Sequence, residues 1–357
     1  MKKILIIALF LFTTTAFSYY PRRMSFLGEG GISSSHADTY KIFSGTANPQ
    51  LAENVANLLN MSLGKAKVSR FNDGEVNIEI EDSIRGCDVY ILQPLCPTST
   101  GSINDNLMEL YLLIRACKRA FASSVTAIVP YYGYARQDRK AMHQVPISAS
   151  DIAMLLEKGG ADHIISIDLH CGQIEGFFHN VPVDDLLASA VFIPYFSKKE
   201  LEKPVIVSPD AGGVPRAKKF MEGFSSYGID TQLAIIVKHR AHAGVIEKMN
   251  FVGDVFGSDV IIVDDICDTA GTLCHAAMEL KQQGAKKVYA CITHPIFSPP
   301  ALERIKNSEI DELVVTDTIP FRSSISSNVH QVSIASLLAK AIERSRRGEM
   351  MIFSVME

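Results

Sequence analysis

The sequence predicts an α/β fold with mainly parallel sheets flanked by helices, divided into two domains. Three observations carry this. From Tyr40 onward, short β-rich apolar runs alternate with longer segments of helical period, the trace that strand–helix–strand units leave in a chain. Several runs end in acids, as "IISIDLH", "IVSPDAGG" and "IIVDD" do, and in parallel sheets ligands bind at the carboxyl ends of the strands. With 357 residues, the chain exceeds one ordinary core and suggests domains of roughly 150 residues.

The elements follow in order. Residues 1–39 stand apart: "MKKILIIALFLFTTTAFSYY" has two lysines, an apolar run and then small residues, the layout of a secretory signal peptide too short to span a bilayer comfortably. "PRRMSFLGEGGISSSHADT" follows as a Gly/Ser-rich linker or transit-like segment, expected not to fold. Strands are predicted at "YKIFSG", "KVSRF", "VNIEI", "DVYILQP", "VTAIVPY" and "HIISIDL", with helices at 48–62, 104–121 and 148–158. After about residue 188 the alternation restarts with "PVIVSPD", "LAIIVK", "DVIIVDD", "KVYACITH" and "ELVVTDT", and with helices at 213–225, 270–283 and 299–307. The expected division is therefore 1–39, 40–187, 188–345 and a tail at 346–357.

Composition excludes some classes. The 39 acids nearly balance the 35 bases, so the whole chain carries no basic signature for nucleic acid. Seven cysteines include no Cys-x-x-Cys pair, which indicates neither a zinc site nor a disulfide framework. Reduced, mostly buried thiols are expected.

The chemistry gathers at strand ends. "VIIVDDICDTAGTLCHAAMEL" (260–280) places Asp264, Asp265 and Asp268 at the end of an apolar strand. Gly271 permits close backbone approach, Thr269 and Thr272 add hydroxyls, and a helix expected near Leu273 offers free amides: a phosphate cradle. Acids do not bind phosphate, and successive strand side chains face opposite ways. One aspartate can therefore reach sugar hydroxyls or a hydrated metal while the other orients the loop, which fits a sugar phosphate. The plainer alternative is a solvated acidic turn before a helix capped by Asp268 or Thr269.

Other segments have comparable potential. "VPYYGYARQDRK" (129–140) combines three tyrosines with two arginines and a lysine, suited to stacking and anion clamping, or simply a basic loop. "RFNDGEVNIEI" (70–80) has Asp-Gly between β-runs, a hairpin signal. His170 follows Asp168 by two positions, and Asp210 precedes two glycines; with water, His170 and Asp210 could hold a hard divalent ion. Lys238 and Arg240 end a strand before a small-residue stretch, where cations could neutralise a transferring phosphoryl group.

Together "FNDGEVNI", "NDNLMEL", "PYYGYARQDRK", "DLHCGQIEGFF", "SPDAGGVPRAK", "VDDICDTAGTLCHAA" and "THPIFS" resemble, in order and spacing, the ribose-phosphate diphosphokinases, over nearly everything from Tyr40 on. The resemblance implies two phosphoribosyltransferase-type domains, with active sites between them completed by a neighbouring subunit in a homo-oligomer, a hexamer built from dimers. It implies transfer of the diphosphoryl group of ATP to the C1 hydroxyl of ribose 5-phosphate with Mg2+, no nucleic-acid partner and no stable membrane association. Carried over, Phe71, Asp73, Gly74 and Glu75 would hold ATP from an adjacent subunit, and Arg136 and Gln137 would contact it too. His170 and Asp210 would be magnesium positions, with Lys238 and Arg240 the catalytic cations. Arg240, Asp264, Asp265, Asp268, Thr269, Ala270, Gly271 and Thr272 would bind ribose 5-phosphate. His242 stands where the family commonly has a further arginine, and the loop at 96–104 is longer than usual. A cytoplasmic location is implied, with a plastid or other organellar address through residues 1–39 as the alternative.

Overall fold

A computed structural model describes residues 40–349 except 100, 141, 240–247 and 323. The signal-like segment 1–39, Arg240, His242 and the end of the tail lie outside the described residues, as do the side chains of Lys238 and His239. In chain order the described elements begin with β1 (Tyr40–Ser44), α1 (Pro49–Leu58), β2 (Ala66–Arg70), β3 (Val76–Ile80), β4 (Asp88–Leu92), α2 (Ile103–Arg119) and β5 (Ser124–Val129). There follow α3 (Ser148–Gly159), β6 (His163–Ile167), a 3-10 turn at Gly172–Phe177, β7 (Val183–Leu186) and α4 (Ser189–Phe196). Then come β8 (Val205–Ser208), α5 (Val214–Ser226), β9 (Gln232–His239), β10 (Lys248–Val252), β11 (Asp259–Cys267) and α6 (Gly271–Gln282). The last are β12 (Lys287–Pro295), α7 (Ala301–Lys306), β13 (Glu312–Thr316), β14 (Val329–Val332) and α8 (Ala335–Arg347).

Two sheets dominate. One has the order β1-β4-β5-β6-β7 and is parallel throughout. The other has the order β10-β9-β8-β11-β12-β13-β14 and is parallel except where β10 meets β9. The predicted hairpin is present as β2 and β3, which pair only with each other. Its Phe71–Gly74 turn closes with the Gly74 N–H donating to the Phe71 carbonyl, and Gly74 sits at φ +96°, a conformation a residue without Cβ adopts freely.

Strand alternation explains the layers. In β4, Tyr90 and Leu92 face one core, while Val89 and Ile91 face another beneath α2 and α3; in β11, Ile261 and Val263 face the first core, and Val260 and Ile262 pack under α6 and α7. A side-chain period of two puts neighbours on opposite faces, so runs that are apolar at every position are buried on both. The first core draws on both sheets and on α1, α4, α5 and α8. α2 starts with a capping box between Ser102 and Asp105 and ends on Lys118 and Arg119, both favourable to its dipole.

Periodicity overlooked β7, α4, β10, β14 and α8. The strands among these are four or five residues long, too short for alternation to stand out. α8 runs two residues beyond the expected boundary at 345, to Arg347, and ends on Gly348 at φ +65°.

Candidate active site

β8 and β11 are neighbours, with β9 and β10 on one side and β12 to β14 on the other. Such a reversal of strand order leaves a crevice at the carboxyl ends. A cavity of about 1230 Å³ lies there, lined by Asp210 after β8, by 264–272 at the end of β11 and just beyond it, and by Arg136 and His170, which follow β5 and β6 of the first sheet.

The paired aspartates divide as strand alternation requires. Asp265 is buried and engaged on both oxygens: His170 Nδ1 lies 2.7 Å from Oδ2 and Arg216 Nη1 3.2 Å from Oδ1. Burial opposes its charge, but the His170 hydrogen bond and the Arg216 charge outweigh that and hold Asp265 below the usual carboxylate range. Asp264 keeps 27% of its side chain open and lines the cavity, with Arg216 at 3.8 Å. Dense surroundings and the Asp265 charge push it up to about 8.

The loop that follows is pinned on both flanks. Arg136 Nη1 donates to Asp268 Oδ2 at 2.7 Å, and Arg304 Nη1 donates to the Thr269 carbonyl at 3.0 Å. α6 begins at Gly271 rather than near Leu273, and its N-cap is Ala270 at φ 59°, with no side-chain cap hydrogen bond. The alternative cap by Asp268 or Thr269 is therefore corrected. A left-handed alanine is uncommon, and a helix start without a side-chain cap leaves its amides to other acceptors, for which an anion is suited.

His170 is held in the way a ligating histidine usually is. Its Nδ1 hydrogen bond to Asp265 raises its pKa and leaves Nε2 as the remaining ring atom, a carboxylate–histidine arrangement common at metal centres. The Gly213 N–H donates to Asp210 Oδ1 at 3.0 Å, and Asp210 lines the same cavity as His170. Among the described residues no cluster of three or more His, Cys, Asp or Glu could hold a metal by itself. Two side chains facing one cavity fit the way Mg2+ would be held, through one or two side chains with waters and substrate phosphates.

Other predicted residues are placed differently. Phe71 is 55% exposed, and neither it nor Asp73, Gly74 or Glu75 lines the cavity. Gln137 does not line it either; its amide accepts a hydrogen bond from Ser148. Two of the three tyrosines of 129–140, Tyr131 and Tyr132, are not part of an exposed stacking platform, while Tyr134 is half-exposed. Tyr131 packs on His294 with ring centroids 5.0 Å apart, and Tyr132 is buried with its hydroxyl donating to the Ala149 carbonyl, because the apolar run of β5 carries both into the interior. Val237, the residue before Lys238, lines the cavity, so β9 reaches it.

Sequence reasoning gave no role to Arg216, Asp138 or Asp185, all of which line the cavity, as does Arg139 of the segment 129–140. Arg216 lies three positions after Gly213 in "SPDAGGVPRAK". A cation in the first turn of a helix, just after an acid-tipped strand, was the available signal.

Known proteins complete the comparison. A solved phosphoribosylpyrophosphate synthetase from Mycobacterium smegmatis superposes with a TM-score of 0.78 at 37% identity, covering 87% of this chain and 100% of that one. The likeness places this chain among α/β transferases, with its cavity at the carboxyl ends of parallel strands. Residues 40–160 match the N-terminal domain of ribose phosphate pyrophosphokinase, and residues 229–355 the phosphoribosyl synthetase-associated domain. The ribose-phosphate pyrophosphokinase of Wolinella succinogenes is 49% identical over 310 residues, covering 87% of this chain and 97% of the relative. That of Bacillus subtilis is 49% identical over 306 residues, covering 85% and 93%. The chain belongs to the ribose-phosphate pyrophosphokinase family, enzymes of nucleotide biosynthesis.

Proposed function

We propose that the protein transfers the diphosphoryl group of ATP to the C1 hydroxyl of ribose 5-phosphate, giving 5-phosphoribosyl 1-diphosphate and AMP. The observation that carries this is the single cavity joining Arg136, His170 and Asp210 to the loop 264–272. The C1 hydroxyl oxygen forms a bond to the β-phosphorus and gives up its proton, the bond from that phosphorus to the oxygen bridging it to the α-phosphorus breaks, and AMP leaves carrying the bridging oxygen. The pinned loop and the amides at the start of α6 take the 5-phosphate, with Thr269 and Thr272 adding hydroxyls. Asp264 faces the ribose hydroxyls, while Asp265, fully engaged by His170 and Arg216, orients it. Arg136 and Gln137 contact ATP.

His170 and Asp210 would hold Mg2+, which when bound supplies charge neutralisation and alignment of the phosphates. Lys238 and Arg240 act as the catalytic cations, with Arg240 also touching the sugar phosphate. Positioning and electrostatics dominate such transfers over covalent chemistry. The exposed hairpin tip, Phe71 to Glu75, supports its service to ATP in an adjacent subunit, and so a homo-oligomer, a hexamer built from dimers. Division into domains at 40–187 and 188–345 and a cytoplasmic location belong to the same proposal. The organellar alternative rests on residues 1–39, outside the described residues.

Purified protein given ATP, ribose 5-phosphate and Mg2+, with no nucleobase, is expected to form AMP stoichiometric with the activated sugar. Lys238→Ala is expected to lower turnover by about a hundredfold or more, roughly 3 kcal/mol of preorganised charge. No AMP from these substrates, with nucleotide formed only when 5-phosphoribosyl 1-diphosphate and a nucleobase are supplied, would instead mark a phosphoribosyltransferase. Near-normal turnover in the variant would remove Lys238 from the mechanism.

A further inference from the structure

Glu109 sits on the inward face of α2, where the neighbouring positions carry Leu110 and Leu113, and its side chain is 0% exposed. Both oxygens are occupied. Thr46 donates its backbone N–H to Oε2 at 3.0 Å, and its hydroxyl lies 2.8 Å from each oxygen. Gln93 Nε2 donates to Oε2 at 2.7 Å, and Arg70 Nη2 pairs with Oε1 at 2.7 Å. Thr46 and Gln93 lie just past the carboxyl ends of β1 and β4. Arg70 is the last residue of β2, immediately before Phe71.

Stability does not ask for this arrangement. Desolvating a carboxylate and a guanidinium costs about what their attraction returns, and apolar residues of similar volume often serve a core as well or better. What the pair supplies is direction. The hairpin shares no ladder with either large sheet and touches the body through Val68, Ile78 and Ile80. Such apolar contacts resist separation but set orientation weakly. The charge-assisted contact at the base of the tip fixes both distance and angle.

We infer that Glu109 and Arg70 are positioning residues for the nucleotide: the buried carboxylate, locked by Thr46 and Gln93, grips the base of the hairpin and aims Phe71 to Glu75 at the ATP they serve. This rests on the reading of the hairpin given above. Arg70→Met and Glu109→Gln are each expected to raise the KM for ATP about tenfold or more while the KM for ribose 5-phosphate stays within about twofold, since small misplacement of a binding group is costly. Arg70→Lys, which restores a point charge without the fork, is expected to recover part of the loss. Melting temperatures measured alongside separate this from unfolding, because a merely destabilised enzyme has no reason to lose ATP affinity selectively. Phe71→Ala distinguishes the layers: if it leaves the KM for ATP unchanged, the hairpin reading fails. If it raises that KM while Arg70→Met and Glu109→Gln do not, or if those two move both KM values equally, the anchor is overturned alone.

Discussion

Around Arg216 four carboxylates converge, Asp168, Asp185, Asp264 and Asp265, each of which raises its pKa against the effect of burial. One guanidinium cannot neutralise four acids, and the excess appears as protonation. Burial, then the Asp168 charge, push Asp185 up to about 7. The unfolded chain ionises this group near the ordinary aspartate value, so between there and about 7 the folded state holds more protons. Stability contributed by Asp185 is therefore complete at low pH and lost as pH rises through that window. Asp185→Asn keeps an acceptor for the Leu169 N–H, now at 2.9 Å. It is expected to raise stability at pH 8 by on the order of a few kcal/mol at most, seen as a higher melting temperature, and to change it little near pH 4. Thermal melts across that range check it, and an equal gain at both ends would contradict the assignment. None of this was readable beforehand, because Asp185 carries no local motif and its acid partners come from other strands.

At the scale of elements, the acid-tipped strand and the loop after it were legible, as was the hairpin, because their chemistry is local. The segment 129–140 was legible only in part: Arg136 lines the cavity as expected, but Tyr131 and Tyr132 resemble a binding surface until β5 is known to carry them inward. Gly133 fits this packing: a β-carbon there would lie 2.7 Å from the Leu95 carbonyl oxygen and 2.7 Å from Ile103 Cδ1. Gly133→Ala is expected to cost about 1–3 kcal/mol, the usual range for overpacking, and to displace Arg136 from Asp268. A urea midpoint and the KM for ATP together test this; a parent-like midpoint would show that the loop yields without strain.

Across the whole molecule, polar ties join the carboxyl ends of the two sheets. Thr293 Oγ1 donates to Asp168 Oδ2 at 2.5 Å, and Asn48 Nδ2 donates to the Asp317 carbonyl at 2.8 Å. His294 Nε2 lies 3.3 Å from the Asp168 carbonyl oxygen and Nδ1 3.0 Å from the Thr318 hydroxyl. Burial lowers the pKa of His294, so the neutral ring donates through Nε2 and accepts at Nδ1. Thr293→Val keeps the shape but strips a donor from the buried Asp168. It is expected to lower stability by about 1–3 kcal/mol, seen as a lower melting temperature. No loss would mean that Ala188, whose N–H also reaches Oδ2 at 3.3 Å, suffices. Among the described residues no helix is long and apolar enough to cross a membrane.

The sequence by itself determined the α/β class, the strand ends where chemistry sits and the family motifs, because hydrophobic period and turn chemistry are written in consecutive residues. Only the tertiary structure decided which acid of the Asp264–Asp265 pair faces the cavity, that Arg216 stands among four carboxylates, and that Glu109 grips the hairpin. Those facts depend on side chains far apart in the chain, 95 positions in the His170–Asp265 pair, and a charge's behaviour is set by the neighbours that folding brings to it, not by those beside it in the chain.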